Sequence, residues 1–439
     1  MIKPELYRNR NVAVVGYGKT GQSVIDALEC VDANIFLLDD RNLDHKYFCD
    51  FRKLDWRNID CMVVSPGISL LWNASEIVRC AYKFSIPVIS DIDVFQQSVN
   101  SKIVAITGTN GKSTTTALIH HLLNGSCGTA DIGGNFGLPV LSLRENADFY
   151  VLELSSYQLE ACNVLGFDFS VLLNITSDHL TRHGGMNGYI AMKQKVFAHA
   201  ENNSIAVIGV DDEYCRHLLD CVHHKNVIQI SGKEVPANGI GWRDDQLIDN
   251  RNGNNKIICD RSPILDGVHN RQNIAAAYAV CNSAGLSDEE FSRKLFSFGG
   301  LEHRQEFVKN INGVTYINDS KATNADSVEQ ALMRFDDVIW ILGGRAKEDG
   351  IEKLVTYFPK IRHAFLIGEI AEEWHALLDK YDVKNEISGT LESAVDSAYR
   401  KAKSGNVVLL STACASFDQF KNFEERGNRF KKLVGDLPC

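Results

Sequence analysis

A glycine-rich segment between an apolar strand and a helix contains the residues that most clearly predict chemistry. It reads IVAITGTNGKSTTT over residues 103–116. Gly108 and Gly111 let backbone N–H groups approach phosphate oxygens, although only two residues separate them where the usual nucleoside-triphosphatase loop has four. Lys112 adds a positive charge, and the Ser113 hydroxyl at the helix N-terminus suits Mg²⁺. We predict that ATP contacts Gly108, Thr109, Asn110, Gly111, Lys112, Ser113 and Thr114.

Polar side chains that suit a metal follow two other apolar runs. Glu153 ends the strand-like run FYVLELSS, while Asp178 and His179 follow FSVLLNITSDHL. Mg²⁺ needs hard oxygen ligands, and an open parallel sheet presents them at the carboxyl ends of its strands. Taken alone, Glu153 is more often a paired surface acid and His179 a hydrogen-bonded loop histidine. Their shared position beside the phosphate loop favours a Mg²⁺ site instead.

A second glycine motif, GYGKTG at residues 16–21, follows the strand NVAVV and opens a helix. It fits the dinucleotide fingerprint, and Asp39 ends the next strand where a ribose-binding acid is expected. Any diphosphate suits such a loop equally well, and Lys19 and Thr20 add a charge and a hydroxyl for phosphate. The tripeptide SPG at residues 65–67 ends a neighbouring strand on the same rim. NAD and a UDP-linked substrate are both open readings of this motif.

Small residues, hydroxyls and lysines also follow strands in the last third of the chain. Residues 318–324 read NDSKATN after the strand VTYI, and residues 411–416 follow the strand VVLL. Lys321 and Lys347 could meet the two carboxylates of a small dicarboxylate amine. Solvated turns with surface lysines are the alternative interpretation.

The elements that must position these motifs are short β-branched runs that alternate with helix-like segments, a pattern typical of parallel α/β architecture. Three such series occur along the chain. We therefore predict a Rossmann-like domain over residues 1–97, a central P-loop-type ATP-binding domain with a parallel sheet over 98–300, and a C-terminal Rossmann-like α/β domain over 301–439. Residues 233–255, rich in Gly, Asn and Asp, predict a loop or an irregular hairpin.

The bulk composition argues against several function classes. A formal net charge of −10 and a pI near 5.7 argue against a polyanion-binding surface, so nucleic acid is not an expected partner. The 12 cysteines lack C-x-x-C spacing, and the N-terminus shows no apolar signal segment, so we expect a cytoplasmic protein. The longest apolar runs are too short to span a membrane.

Taken together, these segments resemble the Mur ligase family. The resemblance rests on GTNGKSTTT, ELSSYQLE, NITSDHL, GVHNRQN, LEHRQEF, NDSKATN and STACASFDQFKNFEERG, in the family's order along nearly the whole chain. The last two segments are the most specific and resemble the members that add D-glutamate. The resemblance implies a monomeric, ATP- and Mg²⁺-dependent ligase of peptidoglycan precursor synthesis. It would activate the carboxylate of UDP-N-acetylmuramoyl-L-alanine as an acyl phosphate and couple it to D-glutamate.

The resemblance also implies roles for individual residues. The catalytic residues would be Lys112, His179 and Lys193, and the Mg²⁺ ligands would be Ser113, Glu153, His179 and carbamylated Lys193. Further ATP contacts would be Asn270, Asn273, Arg304 and Asp319. The UDP-substrate contacts would be Gly18, Lys19, Thr20, Asp39, Arg41, Ser65, Pro66, Gly67, Asn135 and His179. The D-glutamate contacts would be Lys321, Thr323, Lys347, Ser416, Phe417 and Phe423.

Two positions complicate this transfer of roles. Lys195 lies two residues beyond Lys193, so either lysine can be aligned with the family's carbamylated lysine. Carbamylation itself is chemically sound, because a neutral lysine and CO₂ give an anionic oxygen ligand for Mg²⁺. Arg345 replaces the acidic or small residue that the family usually has, which affects the contacts expected around Lys347.

Other function classes remain open from the sequence. Another Mur-type ligase or a folylpolyglutamate-type ligase would share the phosphate loop. An NAD-dependent oxidoreductase with an accessory ATPase-like domain would use the first glycine motif. A non-catalytic nucleotide-binding regulator would keep the phosphate loop but would not need Glu153, His179 and Lys321.

Overall fold

The computed structural model describes residues 1–41, 43–71, 74–163, 166–198, 203–222, 226–260, 262, 265, 267–345 and 350–438. The chain forms two compact units, Met1–Phe298 and Gly299–Cys439. The first unit contains two sheets and the second contains one. The boundary predicted between residues 97 and 98 falls inside the first unit and stays a prediction.

The first sheet is built from short apolar strands and the helices between them. Its elements are β1 (Asn11–Val15), α1 (Lys19–Glu29), β2 (Asn34–Leu38), β3 (Cys61–Val64), α2 (Glu76–Lys83), β4 (Val88–Ser90) and α3 (Asp91–Gln96). The order is β2-β1-β3-β4, and every pairing is parallel. All four residues of β3 are buried, as expected for a parallel strand with both faces covered.

The central sheet has nine strands. Its elements are β5 (Lys102–Thr107), α4 (Lys112–Leu123), β6 (Ala130–Gly134), β7 (Phe149–Glu153), α5 (Ser156–Ala161), β8 (Phe169–Leu172), α6 (Leu180–His183), α7 (Met186–Gln194), β9 (Ile205–Gly209), α8 (Glu213–Leu219), β10 (Asn226–Ile230), β11 (Gly239–Arg243), β12 (Gln246–Asp249), β13 (Lys256–Asp260), α9 (Val268–Ser283) and α10 (Asp288–Ser297). The order is β13-β12-β11-β10-β9-β8-β5-β7-β6. The seven strands from β5 to β11 pair with one another in parallel. Strands β12 and β13 add antiparallel pairings at one edge. The predicted loop or irregular hairpin at 233–255 is the β11–β12 hairpin.

The second unit has one six-stranded sheet. Its elements are β14 (Glu306–Ile311), β15 (Val314–Asn318), α11 (Ala325–Arg334), β16 (Val338–Gly343), β17 (Ile361–Ile367), α12 (Ala371–Lys380), β18 (Asn385–Gly389), α13 (Leu391–Lys401), β19 (Val407–Leu410) and α14 (Phe423–Gly435). The order is β14-β15-β19-β16-β17-β18, and only β14 is antiparallel to its neighbour. Short 3-10 turns occur at Glu5–Tyr7, Trp56–Asn58, Val140–Ser142, Lys195–Phe197 and Glu352–Lys360. The α/β class predicted with parallel sheets is confirmed.

A shared hydrophobic core explains why the first two sheets form one compact unit. One cluster of buried side chains includes Val12 and Leu37 of the first sheet together with Leu152 and Leu172 of the central sheet. The rings of Phe95 and Tyr150 also meet edge to face, with 5.0 Å between their centroids. Among the described helices, none combines the length and the apolar character needed to cross a membrane.

Candidate active site

The phosphate loop, residues 108–111, joins β5 to α4 at the carboxyl edge of the central sheet. Gly111 is the N-cap of α4 and has a φ of +84°, a conformation that L side chains rarely adopt. A Cβ at this position would also collide with the Asn273 side-chain oxygen. The loop therefore requires glycine here both for its backbone conformation and for its close approach to α9.

The loop is held by the segment that follows β8. Asn174 accepts a hydrogen bond from the Asn110 backbone N–H at 2.9 Å and donates to the Asn110 carbonyl at 3.2 Å. The Thr109 hydroxyl donates to the Thr176 carbonyl at 3.1 Å and accepts from the Thr176 N–H at 3.0 Å. These reciprocal bonds fix the backbone of the loop before any phosphate is bound.

Two lysines reach into this loop. The Lys112 Nζ donates to the carbonyls of Gly108 and Thr109 at 2.9 and 2.8 Å. The Lys193 Nζ donates to the same Gly108 carbonyl at 2.7 Å, and the Lys193 residue is only 1% exposed. Burial, together with the charge of Lys112, holds the pKa of Lys193 well below the usual range for lysine. Lys195 instead donates to the Glu160 carbonyl at 3.0 Å.

The predicted metal ligand Glu153 lies on the strand next to β5. Glu153 pairs with Ile106 in the β5–β7 register and is buried, as is Ser113 in the first turn of α4. One Glu153 carboxylate oxygen accepts a hydrogen bond from the Asn135 side-chain amide at 2.6 Å, and the Glu153 carbonyl accepts the Asn135 N–H at 2.8 Å. The structure thus brings Asn135, predicted to contact substrate, to the predicted metal ligand.

His179 lies at the start of α6 on the same side of the sheet. It adopts a left-handed conformation with a φ of +52° and is exposed. Its Nδ1 lies 3.3 Å from the Tyr157 hydroxyl, and its Nε2 lies 3.5 Å from an Asp178 carboxylate oxygen. The ring can therefore reach a ligand while two neighbours restrict its orientation.

Asn270 and Asn273, both predicted to contact ATP, lie on the first turns of α9. The Asn273 side-chain oxygen accepts a hydrogen bond from the Thr115 hydroxyl on α4 at 3.1 Å. Its amide nitrogen donates to the Asn270 side-chain oxygen at 3.1 Å. The structure thus brings this pair to the start of the phosphate-loop helix.

The first sheet presents the predicted substrate residues at its own carboxyl edge. The Asp39 carboxylate accepts hydrogen bonds from the Tyr17 N–H at 2.9 Å and from the Arg41 guanidinium at 2.9 and 3.0 Å. The Arg41 guanidinium and these backbone N–H bonds hold the pKa of Asp39 well below its usual range. The Ser65 hydroxyl donates to the Gly16 carbonyl at 3.0 Å. Gly18 and Lys19 are exposed, and Thr20 is half-buried.

In the second unit, Asp319 follows β15 and is buried. Its two carboxylate oxygens accept hydrogen bonds from the Ser411 hydroxyl at 2.7 Å and from the Gln305 N–H at 3.1 Å. Burial raises the pKa of Asp319 to about 7, although nearby Arg304 opposes the shift. Both oxygens of this predicted ATP contact thus already have partners within the unit.

Four residues predicted to bind D-glutamate lie on loops of the second unit: Lys321, Thr323, Ser416 and Phe417. Phe423 is the first residue of α14. The Lys321 Nζ lies 5.3 Å from the centre of the Phe423 ring, and the Thr323 N–H donates to the Lys321 carbonyl at 2.9 Å. Ser416 is buried, whereas Phe417 is 64% exposed. Lys347 lies outside the described residues.

Buried Arg426 joins two of these loops. It donates to the hydroxyl and the carbonyl of Ser320 at 2.9 and 2.7 Å, and to the Cys414 carbonyl at 3.2 Å. Burial lowers the pKa of Arg426 to about 10. This guanidinium therefore sets the spacing between the loop that carries Lys321 and the loop that carries Ser416.

Comparison with protein-family models identifies the chain. The Mur ligase middle domain matches residues 106–281, and the Mur ligase glutamate ligase domain matches residues 303–414. The chain belongs to the Mur ligase family. The phosphate loop, Glu153, His179 and Lys193 of this Mur ligase all lie inside the first match.

Relatives of this Mur ligase match it along almost their whole length. A UDP-N-acetylmuramoylalanine–D-glutamate ligase from Rickettsia bellii is 39% identical and covers 98% of this chain and 99% of its own. One of the same name from Paramagnetospirillum magneticum is 42% identical, with 99% and 98% covered.

Solved structures share the fold of this Mur ligase. UDP-N-acetylmuramate-alanine ligase MurC from Thermotoga maritima superposes with a TM-score of 0.63 at 16% identity, covering 97% of this chain and 99% of its own. The MurF ligase from the same organism, in complex with ADP, gives a TM-score of 0.59 at 18% identity, with 99% and 97% covered.

Sequence reasoning missed residues that position the loops of this Mur ligase. Asn174 could have been found, because it follows the end of β8, the strand beside β5. Nothing in the sequence pairs Glu160 with Arg182, which lie 2.9 Å apart on different helices, or shows that Arg426 points inward.

Proposed function

We propose that this chain joins D-glutamate to the L-alanine carboxylate of UDP-N-acetylmuramoyl-L-alanine, an ATP-dependent step of peptidoglycan precursor synthesis. The structural observation that carries the proposal is the buried Lys193 amine, which meets Lys112 at the Gly108 carbonyl of the phosphate loop. Relatives of 39% and 42% identity that carry the name of this reaction support the choice of substrates. Sheets with phosphate-binding loops at their carboxyl edges support the use of two nucleotides.

The first step forms an acyl phosphate. A carboxylate oxygen of the substrate attacks the γ-phosphorus of ATP, and the bond to the bridging oxygen breaks so that ADP leaves with the electron pair. Lys112 and the backbone N–H groups at the start of α4 stabilise the charge on the transferring group. The Asn110 N–H donates to Asn174 and the Thr176 N–H donates to Thr109, and these bonds hold the loop in place during the transfer.

The donor set on this edge of the sheet suits Mg²⁺. Ser113 and Glu153 offer hard oxygen ligands, which Mg²⁺ prefers together with phosphate oxygens and water. Bound Mg²⁺ would neutralise charge on the β- and γ-phosphates. His179 is the further ligand that we propose.

Lys193 is proposed to gain an anionic ligand group. Its neutral amine adds to the carbon of CO₂, a C–N bond forms, and one proton is released, which leaves a carbamate. The lowered pKa of Lys193 favours the neutral amine that this reaction needs. Lys195 is a poorer candidate, because it donates to Glu160 and not to the phosphate loop.

The second step forms the amide. The neutral D-glutamate amine attacks the acyl phosphate carbonyl and forms a C–N bond; the C–O bond to phosphate then breaks, phosphate leaves with the electron pair, and the nitrogen releases one proton. The residues that we propose to bind D-glutamate are Lys321, Thr323, Lys347, Ser416, Phe417 and Phe423. An ammonium at Lys321 suits a carboxylate of the amino acid.

The experiment that tests the function is phosphate release from ATP by purified protein with UDP-N-acetylmuramoyl-L-alanine and Mg²⁺. We expect release with D-glutamate and none with L-glutamate or D-alanine. Turnover with a different amino acid would keep the ligase and discard the D-glutamate assignment. No turnover with any of them would favour a regulator.

A lysine variant tests the first step. Lys112→Ala should abolish phosphate release, because the phosphate loop loses its positive charge. Lys83→Ala, which removes an exposed lysine at the end of α2, is the matched control and should keep wild-type activity. Substantial turnover in Lys112→Ala would contradict the assigned phosphate site.

A further inference from the structure

An ion pair holds the segment of the first sheet that we call the substrate loop, residues 65–71. The Arg182 Nε donates to a Glu160 carboxylate oxygen at 2.9 Å. The other two Arg182 nitrogens donate to the three backbone carbonyls of residues 66–68 at 2.8 to 3.3 Å. The second Glu160 oxygen accepts the N–H groups of residues 70 and 71 at 2.9 and 3.3 Å. Five of the seven residues of this loop are thus hydrogen-bonded to one pair of side chains.

These bonds set the direction of the peptide groups. In a trans peptide, the C=O and the following N–H point in opposite directions. The Pro66 carbonyl points at Arg182, so the Gly67 N–H points away from it. A side chain at Gly67 would meet no atom within 4 Å, and the same is true of Gly18 in the first glycine motif. Open space therefore lies beside both glycines on the predicted diphosphate rim.

The same arginine also lies close to the predicted metal ligand His179, through the ring of Tyr157. Its guanidinium carbon lies 4.5 Å from the centre of the Tyr157 ring, and the Tyr157 hydroxyl lies 3.3 Å from the His179 Nδ1. Glu160 belongs to α5 and Arg182 to α6, the helix that His179 caps. A single guanidinium thus contacts both the substrate loop and the ring that orients His179.

Stability alone does not explain this arrangement. The Glu160 side chain is fully buried, and that of Arg182 is 13% exposed. Replacing a buried ion pair by apolar side chains of similar volume is often neutral or stabilising, so such a pair is weak evidence of a stabilising role. A planar guanidinium can instead hold several acceptors in one fixed geometry, which a single ammonium cannot do.

We propose that Glu160 and Arg182 are a positioning pair: they orient the substrate loop so that the Gly67 N–H meets the diphosphate of the UDP-linked substrate, and they keep Tyr157 beside His179. This inference rests on the proposed function. It assigns the pair to binding the nucleotide substrate and not to binding ATP, because all the backbone groups it holds lie in the first sheet.

Steady-state kinetics of Arg182→Met test the proposal. We expect KM for UDP-N-acetylmuramoyl-L-alanine to rise at least about tenfold, the effect of losing hydrogen bonds to a charged group. KM for ATP should stay within about twofold, because the phosphate loop keeps its own bonds. Arg57→Met, which removes an exposed arginine of the same unit, is the matched control and should leave both constants unchanged.

Two further variants keep the test decisive. Arg182→Lys retains a cation beside Glu160 but cannot reach all three carbonyls, so KM for the nucleotide substrate should rise by a smaller factor. Glu160→Gln places an amide donor opposite the arginine or the loop N–H groups, and the same selective rise should follow. If Arg182→Met does not fold, the KM values of Arg182→Lys are compared with those of wild type instead. Equal changes in both KM values, or no change in either, would overturn the proposal.

The wild-type protein separates the two hypotheses. Absence of turnover with D-glutamate would refute the proposed function without testing the pair. Calorimetric titration with UDP alone then tests the pair directly. Weaker UDP binding by Arg182→Lys than by wild type would support it, and equal binding or no binding by either protein would overturn it.

Discussion

Lys112 and Lys193 bring two amino groups to the Gly108 carbonyl, at 2.9 and 2.7 Å. Two full positive charges so close together, one of them buried, are unfavourable. Burial first, and the charge of Lys112 second, lower the pKa of Lys193, so its neutral form becomes accessible. The neutral amine is the form that the proposed carbamylation needs.

Replacing Lys193 tests this chemistry. We expect Lys193→Ala to lose about 100-fold or more in activity, since a metal-binding group disappears. Lys195→Ala should retain most activity. In CO₂-depleted buffer the wild type should slow and recover on addition of bicarbonate, and acidification should weaken the recovery because the protonated amine cannot add CO₂. Phosphate release measures each effect, and full activity of Lys193→Ala would refute the assignment.

Asp319 predicts a pH dependence of stability. The pKa of Asp319 is about 7 in the folded unit, against about 3.9 when unfolded, so the folded state binds the proton more tightly. Its stabilising contribution is complete below the unfolded pKa and is lost as the pH rises towards 7. From about pH 5 to pH 8, unfolding should become easier by roughly 2 to 3 kcal/mol more in wild type than in Asp319→Asn. Denaturant titrations of both proteins at each pH measure this difference, and identical slopes with pH would contradict it.

At the scale of elements, the turn from β5 into α4 depends on one glycine. Gly111 has a φ of +84° and lies against Asn273, whereas Gly253 has a φ of +75° with no atom within 4 Å of an added Cβ. At either position, replacing glycine by a residue with a side chain would cost about 1 to 2 kcal/mol in backbone strain. Only at Gly111 would the side chain also collide with the Asn273 side chain.

This pair of glycines gives a matched comparison. Gly111→Ala should remove ATP-dependent phosphate release, because the loop can no longer keep its backbone N–H groups in place. Gly253→Ala should lose about 1 kcal/mol of stability and stay active. Activity assays and thermal unfolding of both variants check the expectation. An active Gly111→Ala would show that the loop tolerates both the backbone strain and the collision with Asn273.

At the scale of the whole molecule, each unit has its own hydrophobic core. Leu172 belongs to a cluster within the first unit and Leu342 to a cluster within the second, and both side chains are fully buried. A unit with its own core is expected to unfold as a separate cooperative step. Calorimetry of the full chain should therefore resolve two transitions.

Core variants assign those transitions. Leu172→Ala should lower one midpoint and Leu342→Ala the other, each by removing about 2 to 5 kcal/mol from its own unit. UDP should raise only the transition that Leu172→Ala lowers, since we place its site on the first sheet. If either variant shifted both transitions equally, the two units would unfold as one.

Several features of this protein follow from local sequence. The glycine turn from β5 into α4 was predictable because the conformations of Gly108 and Gly111 are properties of adjacent residues. Its contacts with phosphate stay a prediction. The parallel α/β class was predictable for a similar reason, since buried strands such as β3 require continuous apolar runs. Only the tertiary structure distinguished Lys193 from Lys195. The packing of the end of α7 decides which of the two side chains reaches the Gly108 carbonyl.

The pairing of Glu160 with Arg182 likewise needed the fold. The two residues lie on separate helices, and their partners belong to a loop after β3 that lies 89 to 116 residues earlier in the chain. No periodicity or spacing encodes such a contact. Burying these charges is unfavourable unless hydrogen bonds from the surrounding backbone groups offset their desolvation, and those groups come together only in the folded protein. Sequence alone thus determined the chemistry of the loops, and the tertiary structure decided which distant side chains hold them in position.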